Sequence, residues 1–167
     1  MTNAPSQWEH WLSTLPQDER SALIALRDHF AGLGADAPED WAQSEISEGI
    51  PQLARFLILR RLWDEGINGW EQPGAIENLP AARRLLEGGA DRTDLINTMR
   101  ASAFEAIFIA IGILEGHSQD PDNAMLPGWC LQETDPKGHP TGRRIGGLYE
   151  DLRGTDPSGR DAEDLWA

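Results

Sequence analysis

The chain has 167 residues and a mass of 18.5 kDa, the size of one domain that buries roughly 70% of its unfolded surface without help from disulfides or metals. Its 28 acids against 14 bases leave a net charge of −14 and a pI near 4.5, which argues against a chain that wraps nucleic acid through a basic surface. A single cysteine, Cys130, excludes an internal disulfide framework and any multi-cysteine zinc site.

The charge is uneven. Residues 1–50 and 101–167 each carry −7, while residues 51–100 are balanced. Of the 14 bases 13 are arginine and only Lys137 is lysine, a bias that fits a GC-rich bacterial genome before it indicates chemistry. The first residues lack the charged and apolar regions of a signal peptide, so a cytoplasmic protein is expected. The longest apolar run, Ala103 to Leu114, is about twelve residues and contains Glu105, short for a bilayer span, and no membrane association is expected.

The first two thirds, residues 5–116, read as helices. Ser6 is placed to cap a short helix whose Trp8, Trp11, Leu12 and Leu15 share a face. Pro16, followed by Asp18 and Glu19, opens a second helix with Leu23, Leu26, Phe30 and Leu33 on one stripe and Gly34 as its stop. Asp36 and Pro38 start a third, acidic segment that Gly49 breaks. Pro51 starts a fourth, about 50–64, whose wide apolar band predicts a central position, with Gly66 ending it. A loop over 67–78 leads to a short helix capped by Asn78 and closed by Gly88-Gly89. Asp91 then caps the longest helix, 92–115, which turns apolar nearly all round and is expected at the centre of the bundle.

After Gly116 the texture changes to a loop, a hairpin and a short helix over 117–167. Strand residues 129–134 and 141–145 flank Asp135-Pro136-Lys137-Gly138, a tight reversal by composition. The same chemistry recurs at Thr155-Asp156-Pro157-Ser158-Gly159, which reads as a second independent turn. The expected fold is a mainly α, single-domain helical bundle over 1–167 with a small C-terminal β-hairpin.

Sites are sparse. His10, His29, His117 and His139 share no metal-ligand spacing, and Asp120-Pro121-Asp122-Asn123 lacks the glycine and glutamate of an EF-hand. No metal or cofactor is expected. Cys130, beside Trp129 in a strand, reads as a small buried thiol. Arg143-Arg144 followed by Gly146-Gly147 is the most ligand-like stretch. Two guanidiniums ahead of a glycine pair that opens a helix suit a phosphate or carboxylate, although a structural turn whose arginines pair with Glu150 and Asp151 is the favoured explanation. Arg55 and Glu105 each interrupt an apolar helix, so a buried ion pair between them is expected, with a ligand-binding or catalytic acid as the alternative.

Seven tryptophans are many for this length. Trp8, Trp11 and Trp63 fit core stripes, whereas Trp41, Trp70 and Trp166 lie among acids, the mixture of a partner-binding face. Together these features favour a non-enzymatic acidic protein that binds a basic protein partner, as an immunity or antitoxin-like inhibitor of a cationic nuclease would. A scaffold that self-assembles through Trp-rich faces as a homo-oligomer is one alternative. A small metabolite-binding domain or enzyme using Arg55 and Glu105, or Arg143 and Arg144, is the other.

Overall fold

A computed structural model describes residues 7–116 and 128–166. It is mainly α-helical with one two-stranded antiparallel sheet near the C-terminus, the architecture expected from the sequence. Ser6, His117 and the Asp120–Asn123 run lie outside the described residues. The chain divides into two compact units, Met1–Leu53 and Ala54–Ala167.

The first unit is built from α1 (Gln7–Ser13), α2 (Gln17–Gly32) and α3 (Pro38–Ser47). Pro16 stands at the N-cap of α2, with Asp18 and Glu19 in the first turn, where the helix dipole favours anions. The helix ends in a double reversal, Gly34 N–H to the Ala31 carbonyl and Ala35 N–H to the Phe30 carbonyl, both at 3.0 Å. That closure needs a left-handed residue, and Gly34 supplies it at φ +81°. Leu12, Leu23, Phe30 and Ala42 are buried, and Trp41 stacks on Phe30 with ring centroids 5.9 Å apart. Glu45 Oε2 accepts from the Leu53 N–H at 2.8 Å, and Gln52 donates to the Ser44 hydroxyl at 2.7 Å. These bonds satisfy groups at the start of the next helix, α4 (Gln52–Arg61).

Within the second unit the helical path of α4 runs on through a π-helical turn, Leu62–Ile67, and a 3-10 turn, Asn68–Glu71. Gly66 therefore does not end the helix as expected. Its role is close approach: a Cβ there would sit 2.8 Å from Ile107 Cδ1. Phe56, Leu59, Trp63 and Ile67 are buried along one stripe, while Leu57 is exposed. Helix α5 (Pro80–Glu87) has Leu79, not Asn78, at its N-cap, and Pro80 occupies the first turn. Pro80 explains the displacement, since its fixed φ suits that first turn and it has no N–H there for a cap to serve. A small cluster of Ile76, Ala82 and Ile96 packs here, with Trp70 against it.

Helix α6 (Arg92–Leu114) begins as expected: the Asp91 carboxylate accepts from the N–H groups of Thr93 at 2.7 Å and Asp94 at 3.2 Å. Its burial departs from expectation. Ile96, Arg100, Phe104 and Ile111 are buried, but the opposite side faces solvent, so α6 is a wall and not a bundle centre. All-round apolar composition reads as all-round burial only if enough elements surround the helix, and among the described residues of this unit they do not.

The hairpin pairs β1 (Leu131–Thr134) with β2 (Pro140–Ile145), Leu131 opposite Ile145 and Gln132 opposite Arg144. The Asp135–Gly138 turn closes as composition predicts, with Gly138 N–H on the Asp135 carbonyl at 2.9 Å and Gly138 at φ +85°. Cys130 is exposed ahead of β1, not buried in it. Helix α7 (Leu148–Asp151) and a 3-10 turn (Glu163–Leu165) follow, burying Leu148, Leu152, Ala162 and Leu165. The Trp63 indole N–H donates to the Leu152 carbonyl at 2.7 Å, tying this tail to the helical stripe.

Candidate functional site

The stretch that looked most like an anion site is closed from within. Gly147, left-handed at φ +72°, starts α7, and its carbonyl accepts from Arg55 Nη2 at 2.9 Å. The same guanidinium meets Asp151 Oδ2 at 2.5 Å. The Leu148 N–H, which a bound anion would need, donates to Glu115 Oε1 at 2.5 Å. A carboxylate of the chain itself thus stands at the place a phosphate would take. Arg143 reaches across the hairpin to Glu133 at 3.4 Å, and Arg144 lies on the exposed side of β2. Arg143, Arg144, Gly146 and Gly147 therefore form no shared cradle.

The expected Arg55–Glu105 pair does not form. Arg55 is 5% exposed, but Asp151 is its counter-ion, and Glu105 faces solvent on α6. The helical phase of α6 puts Phe104, not Glu105, on the buried stripe. Burial pushes the Asp151 carboxyl above its ordinary value, Arg55 pulls the other way, and neighbouring Glu150 adds to the rise.

A second buried arginine is legible in the helical phase of α6. Arg100 lies four residues from both Ile96 and Phe104, on the buried stripe, and is 2% exposed. Its Nη1 meets Asp164 Oδ2 at 2.7 Å and Glu71 Oε1 at 3.2 Å, while Nε and Nη2 donate to Asn68 Oδ1 at 3.2 and 2.9 Å. One guanidinium thus holds the 3-10 turn at 68–71 and the C-terminal turn against α6. Within the tail itself Asp156 adds a further tie, its Oδ2 accepting from the buried N–H of Ala162 at 2.9 Å, a residue held left-handed at φ +62°.

The tryptophan candidates separate. Trp41 is half-buried on Phe30, and Trp70 is half-buried on the Ile76 cluster. Trp166 stays exposed, edge-on to Phe104 at 5.3 Å with Arg153 over its ring at 5.6 Å. Trp129, read as a strand residue, is also exposed, and its indole N–H serves the Ile113 carbonyl near the end of α6 at 2.7 Å.

What the sequence did not signal is the solvent side of α6. Phe108 is 41% exposed, Ile109 59%, Ile113 49% and Leu114 48%, with exposed Glu105, Ala106 and Ala110 on the same side. Large apolar residues exposed singly are ordinary, but four within two helical turns make a patch. Next to it Ile58, Arg61, Leu62, Glu65, Gly66 and Ile107 line an open groove of about 490 Å³. At 23 residues α6 is also long and apolar enough, by length and composition alone, to cross a membrane. Among the described residues no group of three or more His, Cys, Asp or Glu is placed to hold a metal ion.

Comparison with known protein families, curated proteins and solved structures finds no match for this chain.

Proposed function

We propose that this chain is a non-enzymatic acidic binding protein whose partner is a basic protein. The observation that carries the reading is an imbalance of engagement. The arginines best placed to hold an anionic metabolite, Arg55, Arg100 and Arg143, are each matched by a carboxylate of the chain itself. Exposed acids such as Asp18, Glu19, Asp36, Asp40 and Glu105 have no such cation beside them among the described residues. With a net charge of −14, the surface repels anions and attracts cationic proteins from a distance. Complementary charge accelerates encounter and selects partners, which suits an inhibitor of the immunity or antitoxin kind.

The experiment is capture on the immobilised full chain at low and at high salt, beside an unrelated protein of equal net charge. The expected result is a stoichiometric basic partner, retained at low salt, released at high salt and absent from the control. Identical capture on both proteins, or none on either, overturns the reading.

A second reading, a self-assembling scaffold, draws on the exposed apolar side of α6. Sedimentation of the chain alone separates the two.

A further inference from the structure

We propose that the solvent side of α6, from Glu105 to Leu114, is the docking site for an amphipathic helix of the partner, one bearing arginine or lysine beside its apolar stripe. This rests on the basic-partner reading above and adds to it a place and a mode.

The apolar part of the surface fits a helix. Ile109 and Ile113 are one turn apart, Phe108 and Leu114 flank them, and all four are exposed. Docking a helix on such a face uses anchors at i, i+3, i+4 and i+7, and α6 offers an unbroken helical run of the right length.

The charge names the occupant. From Ala101 to Gly116 the only ionisable side chains are Glu105 and Glu115, so this half of α6 has no cation of its own. Glu115 is turned to the Leu148 N–H, which leaves Glu105 as the charge on the open face, one turn before Ile109. The carboxyl-terminal end of the helix adds partial negative charge. Tyr149, edge-on to Phe108 at 6.2 Å, hydrogen-bonds the exposed Glu150, which sets a further carboxylate at the border. Arg61, on the neighbouring groove, is already held by Glu65 at 2.9 Å.

A second copy fits poorly. Antiparallel pairing about Ile109 sets each Glu105 against the other copy's Ile113, where it loses water and gains no cation. Parallel pairing brings the two Glu105 side chains together. An anionic bilayer is repelled by the chain's net charge and meets the Glu105 carboxylate, which has no cation beside it among the described residues. A helix that brings a cation to Glu105 and apolar side chains to Ile109 and Ile113 satisfies both halves of the surface.

The test uses defined probes: a synthetic amphipathic helix with leucine anchors and flanking arginines, the same peptide with glutamate for arginine, and vesicles of phosphatidylcholine with phosphatidylglycerol. The proteins are the full chain, Ile109→Asp and Glu105→Gln, each confirmed as folded by circular dichroism and urea midpoint. Ile109→Asp makes the chain more acidic, so diffuse charge attraction strengthens while docking on α6 weakens. The expected result is arginine-peptide binding that falls about ten-fold or more in Ile109→Asp, the loss typical of a central anchor. Glu105→Gln should weaken it several-fold and flatten its salt dependence, and the glutamate peptide should not bind. Failure of the arginine peptide to bind the full chain overturns the proposal. So does equal or tighter binding to Ile109→Asp, which leaves the basic-partner reading standing if the captured partner also binds that variant. A dimer dissolved by Ile109→Asp, or vesicle binding lost with it, reassigns the face to a second copy or to lipid and overturns the proposal as well.

Discussion

Arg55 and Asp151, 96 residues apart in the chain, meet Nη2 to Oδ2 at 2.5 Å. The arginine side chain is 7% exposed and the aspartate 38%, so removal of the two partners is not symmetric. Asp151→Ala takes from a buried cation the carboxylate it meets and is expected to cost about 3 kcal/mol, the lower end for a broken buried pair. Arg55→Leu leaves a carboxylate that water reaches, and should cost less. The double variant, Arg55→Leu with Asp151→Leu, should recover part of the loss. Urea denaturation of the three variants checks this, and strictly additive effects would show that the pair is not coupled.

Asp135 organises the hairpin turn. Its Oδ1 accepts from the N–H groups of Lys137 at 2.8 Å and His139 at 2.9 Å, and hydrogen bonding from His139, backbone first, holds the carboxyl below its ordinary value. A carboxyl depressed on folding stabilises above its unfolded pKa, about 4, and loses that contribution as pH falls through the folded value. The Lys137 and His139 amides should therefore lose protection, measured against the intrinsic exchange rate at each pH, and shift in NMR spectra on acidification. Asp135→Asn, which keeps an acceptor but does not titrate, should keep the turn and lose the pH dependence. A turn equally ordered at all pH values in the native chain contradicts this account.

Gly66 and Ile107 are in close contact, and the predicted effect of a methyl group there follows from the geometry. A Cβ at Gly66 falls 2.8 Å from Ile107 Cδ1, the far end of a side chain that can rotate. Gly66→Ala should destabilise by about 1 kcal/mol, the low end of overpacking. Adding Ile107→Val, which removes that methyl, should restore stability. A double variant no better than Gly66→Ala would place the cost in the π-helical backbone at Leu62–Ile67 instead.

How far the sequence discloses this molecule depends on what each signal measures. Turn and cap chemistry is local, so Gly34, Asp91 and Asp135–Gly138 read correctly from residue type alone. Burial is not local. Glu105 and Arg100 are both single charges in one apolar helix, and only helical phase relative to the packed side tells the buried one from the exposed one. Phase relative to Ile96 and Phe104 identifies Arg100. The pairing of Arg55 is not encoded in this way, because Asp151 comes from a short helix after the hairpin whose docking no periodicity records. The exposed side of α6 was hidden for a related reason: composition records that Ile109 and Ile113 are apolar, not whether anything covers them.

Arg100 provides the sharpest test of how the C-terminal turn is held. Its guanidinium is 2% exposed and spans acceptors in three directions, Asn68, Glu71 and Asp164. Asp164 keeps Arg160 at 3.1 Å if Arg100 is lost, so it is not orphaned, whereas Asn68 Oδ1 loses both of its donors from Arg100. Arg100→Leu should therefore destabilise by roughly 3 kcal/mol, again at the low end for a buried charged network. Arg100→Lys keeps the charge but not the planar fork, and an ammonium cannot serve all of these acceptors at once. It should be no better than leucine, since it buries a cation with incomplete hydrogen bonding. Both variants should also release the tail first, seen as faster hydrogen exchange at Leu165 and Trp166, whose N–H groups donate to Ala162 and Glu163 at 3.1 and 3.4 Å. If Arg100→Lys matches the native chain in urea midpoint and in tail protection, charge alone suffices and the fork geometry is not what holds the turn to α6.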